Sequence, residues 1–168
     1  MIQHLKIIEN NKASKGLRIA NFVIDKLVIS LLFFSFGVFS FLTQEFLGID
    51  YFINLVDQLE SFTKLEDTLV STFVYVLYLI CIEYFTKGKS IGKYITGTKI
   101  VMIDGTEPSF SNYMIRTLTR IIPFDALSFL GENGWHDKWS DTRVINIRAY
   151  KSDLAIITDL DSLGSKEF

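Results

Sequence analysis

The chain has 168 residues, which suits one domain. Its 49% hydrophobic content falls in blocks rich in phenylalanine (15 residues), and with only 2 prolines and 10 glycines it is neither low-complexity nor collagen-like. One cysteine, Cys81, excludes an intramolecular disulfide, and a net charge of −2 says little about partners because the charges are sorted along the chain.

Residues 1–15 are mixed and polar. The first apolar block follows, with a charge-free core over residues 27–42. A helix needs roughly 20 mostly apolar residues to cross about 30 Å of hydrocarbon. The span is therefore expected over about residues 18–43, drawing in the turn that carries Arg18, Asn21, Asp25 and Lys26. It is too long for a signal-peptide core and lacks a small-x-small end, so it is expected to be retained. Residues 44–67 form a polar connector bearing Glu45, Asp50, Asp57, Glu60, Glu66 and Asp67 against Lys64. A second span is expected over residues 68–86, with Tyr84 and Phe85 at an aromatic belt. Lys6, Lys12, Lys15 and Arg18 precede the first span, and Lys87, Lys89, Lys93 and Lys99 follow the second. The excess of basic residues on both flanks places both termini in the cytoplasm and the connector outside a cell membrane that the chain crosses twice.

Beyond the second span, residues 99–103 are rich in β-branched types and end in the turn signal Asp104-Gly105, predicting two short strands. Ser109 or Ser111 is placed to cap a helix over about residues 112–122, which Pro123 stops or kinks. Residues 110–130 are long enough to be read as a third span, but Arg116, Arg120 and Asp125 lie inside. A charge at mid-membrane costs about 2.5–3.5 kcal/mol even on the lenient insertion scale. An interfacial or half-inserted helix is expected instead. Residues 142–147 are expected as a last strand, and the chain after Tyr150 as a loose polar tail. The predicted fold is an integral membrane α-helical protein: two transmembrane helices under a small cytoplasmic cap of short strands and an interfacial helix. The membrane domain covers residues 16–148, between the polar N-terminus at 1–15 and the tail at 149–168.

Arg18, Asn21 and Asp25 fall on one helical stripe, which should face away from lipid. Two readings follow: a cation or proton site near the inner leaflet, or a structural ion pair that docks the helix onto the cap. Glu83, near the inner end of the second span, lies at a similar depth. It is placed either to share an ion with Asp25, or to pair with Lys87 four residues on. Gly88-Lys89-Ser90 looks like the end of a phosphate loop, but the earlier glycine is replaced by Glu83 and a membrane helix stands where a strand is required, so nucleotide binding is rejected. Gly88, Gly92 and Gly97 are expected at tight turns, and the nearby lysines at anionic head groups. His136-Asp137 has no ligand cluster around it, so neither a metal nor a cofactor is expected. Asp137 is expected to receive Arg18, Arg116 or Arg120, the last two sharing a helix face. No nucleophile arrangement is present, and no enzyme activity is expected.

Arg18 and Asp25 in GLRIANFVIDKL, Asp137 in GWHDKWSDTRV, and the intervening GKSIGKYITGTKIVMIDGTEPS and RTLTRIIPFDALSFL resemble the RDD family of small membrane proteins, named for an arginine and two aspartates. The resemblance runs over residues 16–147; Asn21 departs from the small residue usual there. It implies two membrane helices, no established enzyme activity, and a transport role, with cation/proton exchange one proposal. The leading functional expectation is transport of a small cation, Na⁺ against H⁺, by a homo-oligomer in the lipid bilayer. The other is a non-transporting scaffold or accessory subunit that binds a partner protein. Nucleic acid is not an expected partner.

Overall fold

The computed structural model describes residues 2–121 and 134–164. The expected kink at Pro123, the apolar run 124–130 and Asp125 lie outside the described residues.

Helix α1 (Ile2–Asn10) leads into α2 (Lys15–Leu47), the longest element at 33 residues. The Ser14 hydroxyl accepts from the Leu17 N–H to start α2, and Gly48, at φ 65°, ends it in the left-handed region that glycine adopts without a Cβ clash. At 1.5 Å per residue α2 is roughly 50 Å long, more than the hydrocarbon thickness. It therefore runs past both ends of the expected 18–43 span. α4 (Lys64–Phe85) starts at a capping box of Thr63 and Glu66, four residues before the expected 68. Both helices are long and apolar enough to cross a membrane. Leu31 on α2 and Phe73 on α4 are 65% and 63% exposed, a degree of apolar exposure suited to lipid rather than water. The connector is not merely polar coil. It holds α3 (Tyr51–Glu60), whose Phe52 ring packs edge-on against Phe36 and Phe39 of α2 at 6.5 and 5.3 Å between centroids. α2 and α4 meet through Ile29, Tyr75 and Leu79.

The rest of the chain builds a cap. Ser90 caps the short α5 (Ile91–Thr96), and Gly97 at φ 68° turns it into β1 (Thr98–Met102). The Asp104 carboxylate accepts from the Thr106 N–H and hydroxyl at 2.9 and 2.6 Å, forming the expected turn. That turn does not close a hairpin. It leads to α6 (Phe110–Thr119), capped by Ser109. The strand that pairs with β1 arrives only after α7 (Trp135–Trp139), as β2 (Thr142–Asn146), antiparallel with Ile100 opposite Val144. The polar N-terminus belongs to this cap: Ala13 N–H donates to Val144 O at 2.8 Å, and Ile8 packs on Val101 and Ile145. The tail expected to be loose is helical. α8 (Ile147–Gly164) begins where the Asn146 side chain accepts the N–H groups of Arg148 and Ala149, and it is pinned by Tyr150 against Ile8 and by an Asn11–Asp153 hydrogen bond of 2.7 Å.

Candidate functional site

The cap meets the two long helices along the polar stripe of α2. Arg18, Asn21 and Asp25 are all buried, and each is hydrogen-bonded to the cap. Asp25 closes the N-terminus of α5. Its Oδ2 accepts the Ser90 hydroxyl at 2.6 Å and its Oδ1 the Gly92 N–H at 2.8 Å, with the Tyr78 hydroxyl of α4 at 3.4 Å. A carboxylate at a helix start satisfies donors that have no partner within the helix. Asn21 donates to Thr98 Oγ1 at 3.0 Å and accepts from Thr96 Oγ1 at 2.5 Å, joining α2 to the entry of β1. Arg18 reaches across to Asp137 Oδ2 at 2.5 Å on α7. Arg18 and Asp25 thus share a face without pairing, because Arg18 is taken by Asp137 and Asp25 by the neutral donors of Ser90 and Gly92.

Close packing of α5 on α2 depends on Gly92. A Cβ there would come within 2.5 Å of Asn21 O. Gly88, at φ 94°, lies so near β1 that a Cβ would approach Ile100 O at 2.7 Å. Gly-Lys-Ser is therefore the joint between α4 and the cap, with Ser90 as helix cap.

Asp137 is the meeting point of two arginines. Arg116 Nη1 donates to Oδ1 and also to Thr142 Oγ1, the latter at 2.7 Å, while Arg18 holds Oδ2 and His136 Nε2 stands 3.5 Å from Oδ1. Burial alone would raise the Asp137 carboxyl; Arg116, His136 and Arg18 outweigh it and hold the group below its usual range. Arg120 does not join Arg116 on this carboxylate. As the C-cap residue of α6 it points instead to Glu83 Oε1, at 3.7 Å.

Glu83 also does not pair with Lys87. α4 ends at Phe85, and Lys87 adopts a left-handed φ of 56°, which destroys the four-residue helical spacing. Lys87 faces Glu107 at 3.6 Å. Glu83 is claimed by Lys93, whose Nζ lies 2.7 Å from Oε1 and 3.3 Å from Ser90 Oγ. Lys93, expected at the head groups, is buried. Hydrogen bonds thus run Glu83–Lys93–Ser90–Asp25 between the cap-side ends of the two long helices. Among the described residues, Glu83 Oε2 has no hydrogen-bond partner, nor do Arg116 Nε and Nη2, Tyr113 OH and Thr117 Oγ1, all of them buried on α4 and α6. Such groups cost about 1–3 kcal/mol each when left unmade. Among the described residues no group of three or more His, Cys, Asp or Glu gathers as a metal site.

Sequence reasoning missed Ser90, Lys93, Thr96, Thr98, Tyr78 and Thr142. Ser90 alone carried a readable sign, a serine ahead of a short helical run.

Residues 12–146 match the model of the RDD family, a group of membrane-associated proteins. Comparison with curated proteins and with solved structures returned no match. With most of its length inside that match, the chain belongs to the RDD family.

Proposed function

We propose that this protein crosses the cell membrane with α2 and α4, keeps both chain ends on the cytoplasmic side, and exchanges a small cation, Na⁺ first, for protons as a homo-oligomer. The basic residues that flank both helices on the cap side support the orientation. One observation carries the transport reading. Two carboxylates, Asp25 and Glu83, are buried at the cap-side ends of both long helices and linked through Ser90 and Lys93, and among the described residues one Glu83 oxygen has no hydrogen-bond partner. Buried ionisable groups at a membrane helix end belong to ion pathways more often than to lipid-facing surface. Two helices do not enclose a path, so the reading requires several copies. It assigns the protein no enzymatic role and no cofactor.

The second reading is a scaffold or accessory subunit. It is favoured by Asp25 and Asp137, whose carboxylates are occupied by helix-capping and arginine donors and act as glue. The same geometry chooses the experiment. Asp25→Asn sets an amide against the Ser90 and Gly92 donors and destabilises the protein under either reading. Glu83→Gln combined with Lys93→Met removes one charge of each sign. Under exchange, this pair variant assembles as wild type and moves no cation in sealed vesicles. Under the scaffold reading, wild type itself moves none.

A further inference from the structure

The lysines that follow α4 have different surroundings. Lys93 is buried on Glu83, and Lys87 faces Glu107 at 3.6 Å. Lys89 is exposed, and its ammonium stands 5.8 Å from the centroid of the Tyr94 ring on α5. Among the described residues no carboxylate pairs with it. The Thr86 hydroxyl accepts the Lys89 N–H at 3.2 Å, so the turn that leaves α4 keeps Lys89 close to Phe85. Phe85 is 80% exposed and Tyr94 75%, and Ile91 and Ile95 are exposed beside them on α5. One hydrogen bond sets the depth of this patch. Ser90, next to Lys89, donates to Asp25 at 2.6 Å, and Asp25 stands just before the charge-free run 27–42 of α2. Lys89 therefore lies level with the edge of that run, on a segment that α5 packs against α2 at Asn21. An amine, a phenol ring and bulky apolar side chains at the end of an apolar run match the chemistry of a membrane–water boundary.

We propose that Lys89 and Tyr94 form a binding site for the head group of an anionic phospholipid in the leaflet on the cap side. The inference rests on the crossing by α2 and α4 proposed above, and not on cation exchange. The lipid phosphate accepts from the Lys89 ammonium, with the Tyr94 ring behind the amine. Phe85, Ile91 and Ile95 meet the start of the acyl chains. Lys87 adds positive charge on the same turn, because Glu107 divides its carboxylate between Lys87 and Lys99, the latter at 3.3 Å. A two-fold contact with a second copy through this patch would set Lys89 against a like charge, whereas an anionic lipid supplies the opposite one. A free phosphate would satisfy the amine but leave Phe85 and Ile95 in water.

The test is the thermal stability of the full chain in neutral detergent, titrated with phosphatidylglycerol, with phosphatidylcholine and glycerol 3-phosphate as controls. Phosphatidylglycerol is expected to raise the melting temperature saturably, and neither control is expected to match it. Lys89→Gln is expected to weaken the apparent affinity for phosphatidylglycerol about fivefold, as the loss of one lysine at an anionic surface requires. Lys89→Arg keeps the charge and should stay within about twofold of wild type. Tyr94→Leu keeps the apolar bulk but removes the ring face, and should weaken affinity about two- to fivefold. Lys151→Gln, exposed on α8, should bind as wild type. Equal stabilisation by phosphatidylglycerol and phosphatidylcholine, an affinity unchanged in Lys89→Gln, or one lowered as much in Lys151→Gln overturns the assignment. Glycerol 3-phosphate acting as well as the lipid overturns it in favour of a free phosphate. A smaller assembly for Lys89→Gln in lipid-free detergent overturns it in favour of a contact between copies. Lipid-specific stabilisation without cation flux removes exchange and leaves this site standing. Flux with no lipid preference removes this site alone.

Discussion

Asp137→Asn is the sharpest probe of how the cap is held. Asp137 is fully buried, with Arg18 on one oxygen and Arg116 on the other. Asparagine keeps the shape and removes the charge, leaving two buried guanidinium groups without their counter-ion. Among the described residues, the other carboxylate that acts on Arg116 is Glu83, whose Oε1 is already shared by Lys93 and Arg120. Breaking a buried pair on one side costs about 3–5 kcal/mol, and that is the expected loss in reversible denaturation of the detergent-solubilised protein. A double-mutant cycle localises the loss. Arg116→Met and Asp137→Asn should couple by more than roughly 1 kcal/mol, whereas Arg120→Met and Asp137→Asn should be additive within about 0.5 kcal/mol. Arg120 should couple to Glu83 instead. Additivity of Arg116 with Asp137, or an Asp137–Arg120 coupling as large, would refute this pairing.

Gly92→Ala drives a methyl group into the α2 backbone at Asn21 and should cost about 1–3 kcal/mol. At roughly 2–4 °C per kcal/mol for a chain of this size, a melt should show a drop of about 2–12 °C, and a melt at the wild-type temperature would contradict the close approach of α5. The pH dependence has a defined sign. The Asp137 carboxyl is held below its unfolded value, so its stabilisation is present above about pH 4 and is lost as the pH falls through its folded value. The stability gap between wild type and Asp137→Asn should therefore shrink on acidification, measured by the same denaturation; a gap that widens contradicts the assignment. Single cysteines at Ser61 and at Asp141, in a chain with Cys81→Ser, should label from opposite sides of sealed vesicles, and labelling from one side contradicts the two-span topology.

The long helices were legible because charge-free apolar runs have few alternatives. The stripe of Arg18, Asn21 and Asp25 was legible because helical periodicity alone puts the three on one face. Their partners were legible in part. Asp137 was expected to receive Arg18, Arg116 or Arg120, and the fold selects the first two. For Glu83 local spacing offered Lys87, whereas the fold selects Lys93. That exchange turns on a detail of backbone: α4 stops at Phe85, so the residue four beyond Glu83 is no longer on its helix. Lys93 reads as one more interfacial lysine until α5 is seen folded across α2 on Gly92. The pairing of β1 with β2 was hidden for a similar reason. Asp104-Gly105 is a genuine turn, but it feeds α6, and the strand partner lies some forty residues further along. The polar composition after Tyr150 hides α8, which depends on the cap at Asn146 and the docking of Tyr150.

The most direct test of the account is proton movement in sealed proteoliposomes when Na⁺, K⁺ or Li⁺ is imposed in turn, comparing wild type with Glu83→Gln/Lys93→Met. Exchange predicts proton flux in wild type with at least one of these cations and none in the folded, equally oriented pair variant. Absence of flux from folded wild type, or equal flux from both proteins, would contradict it.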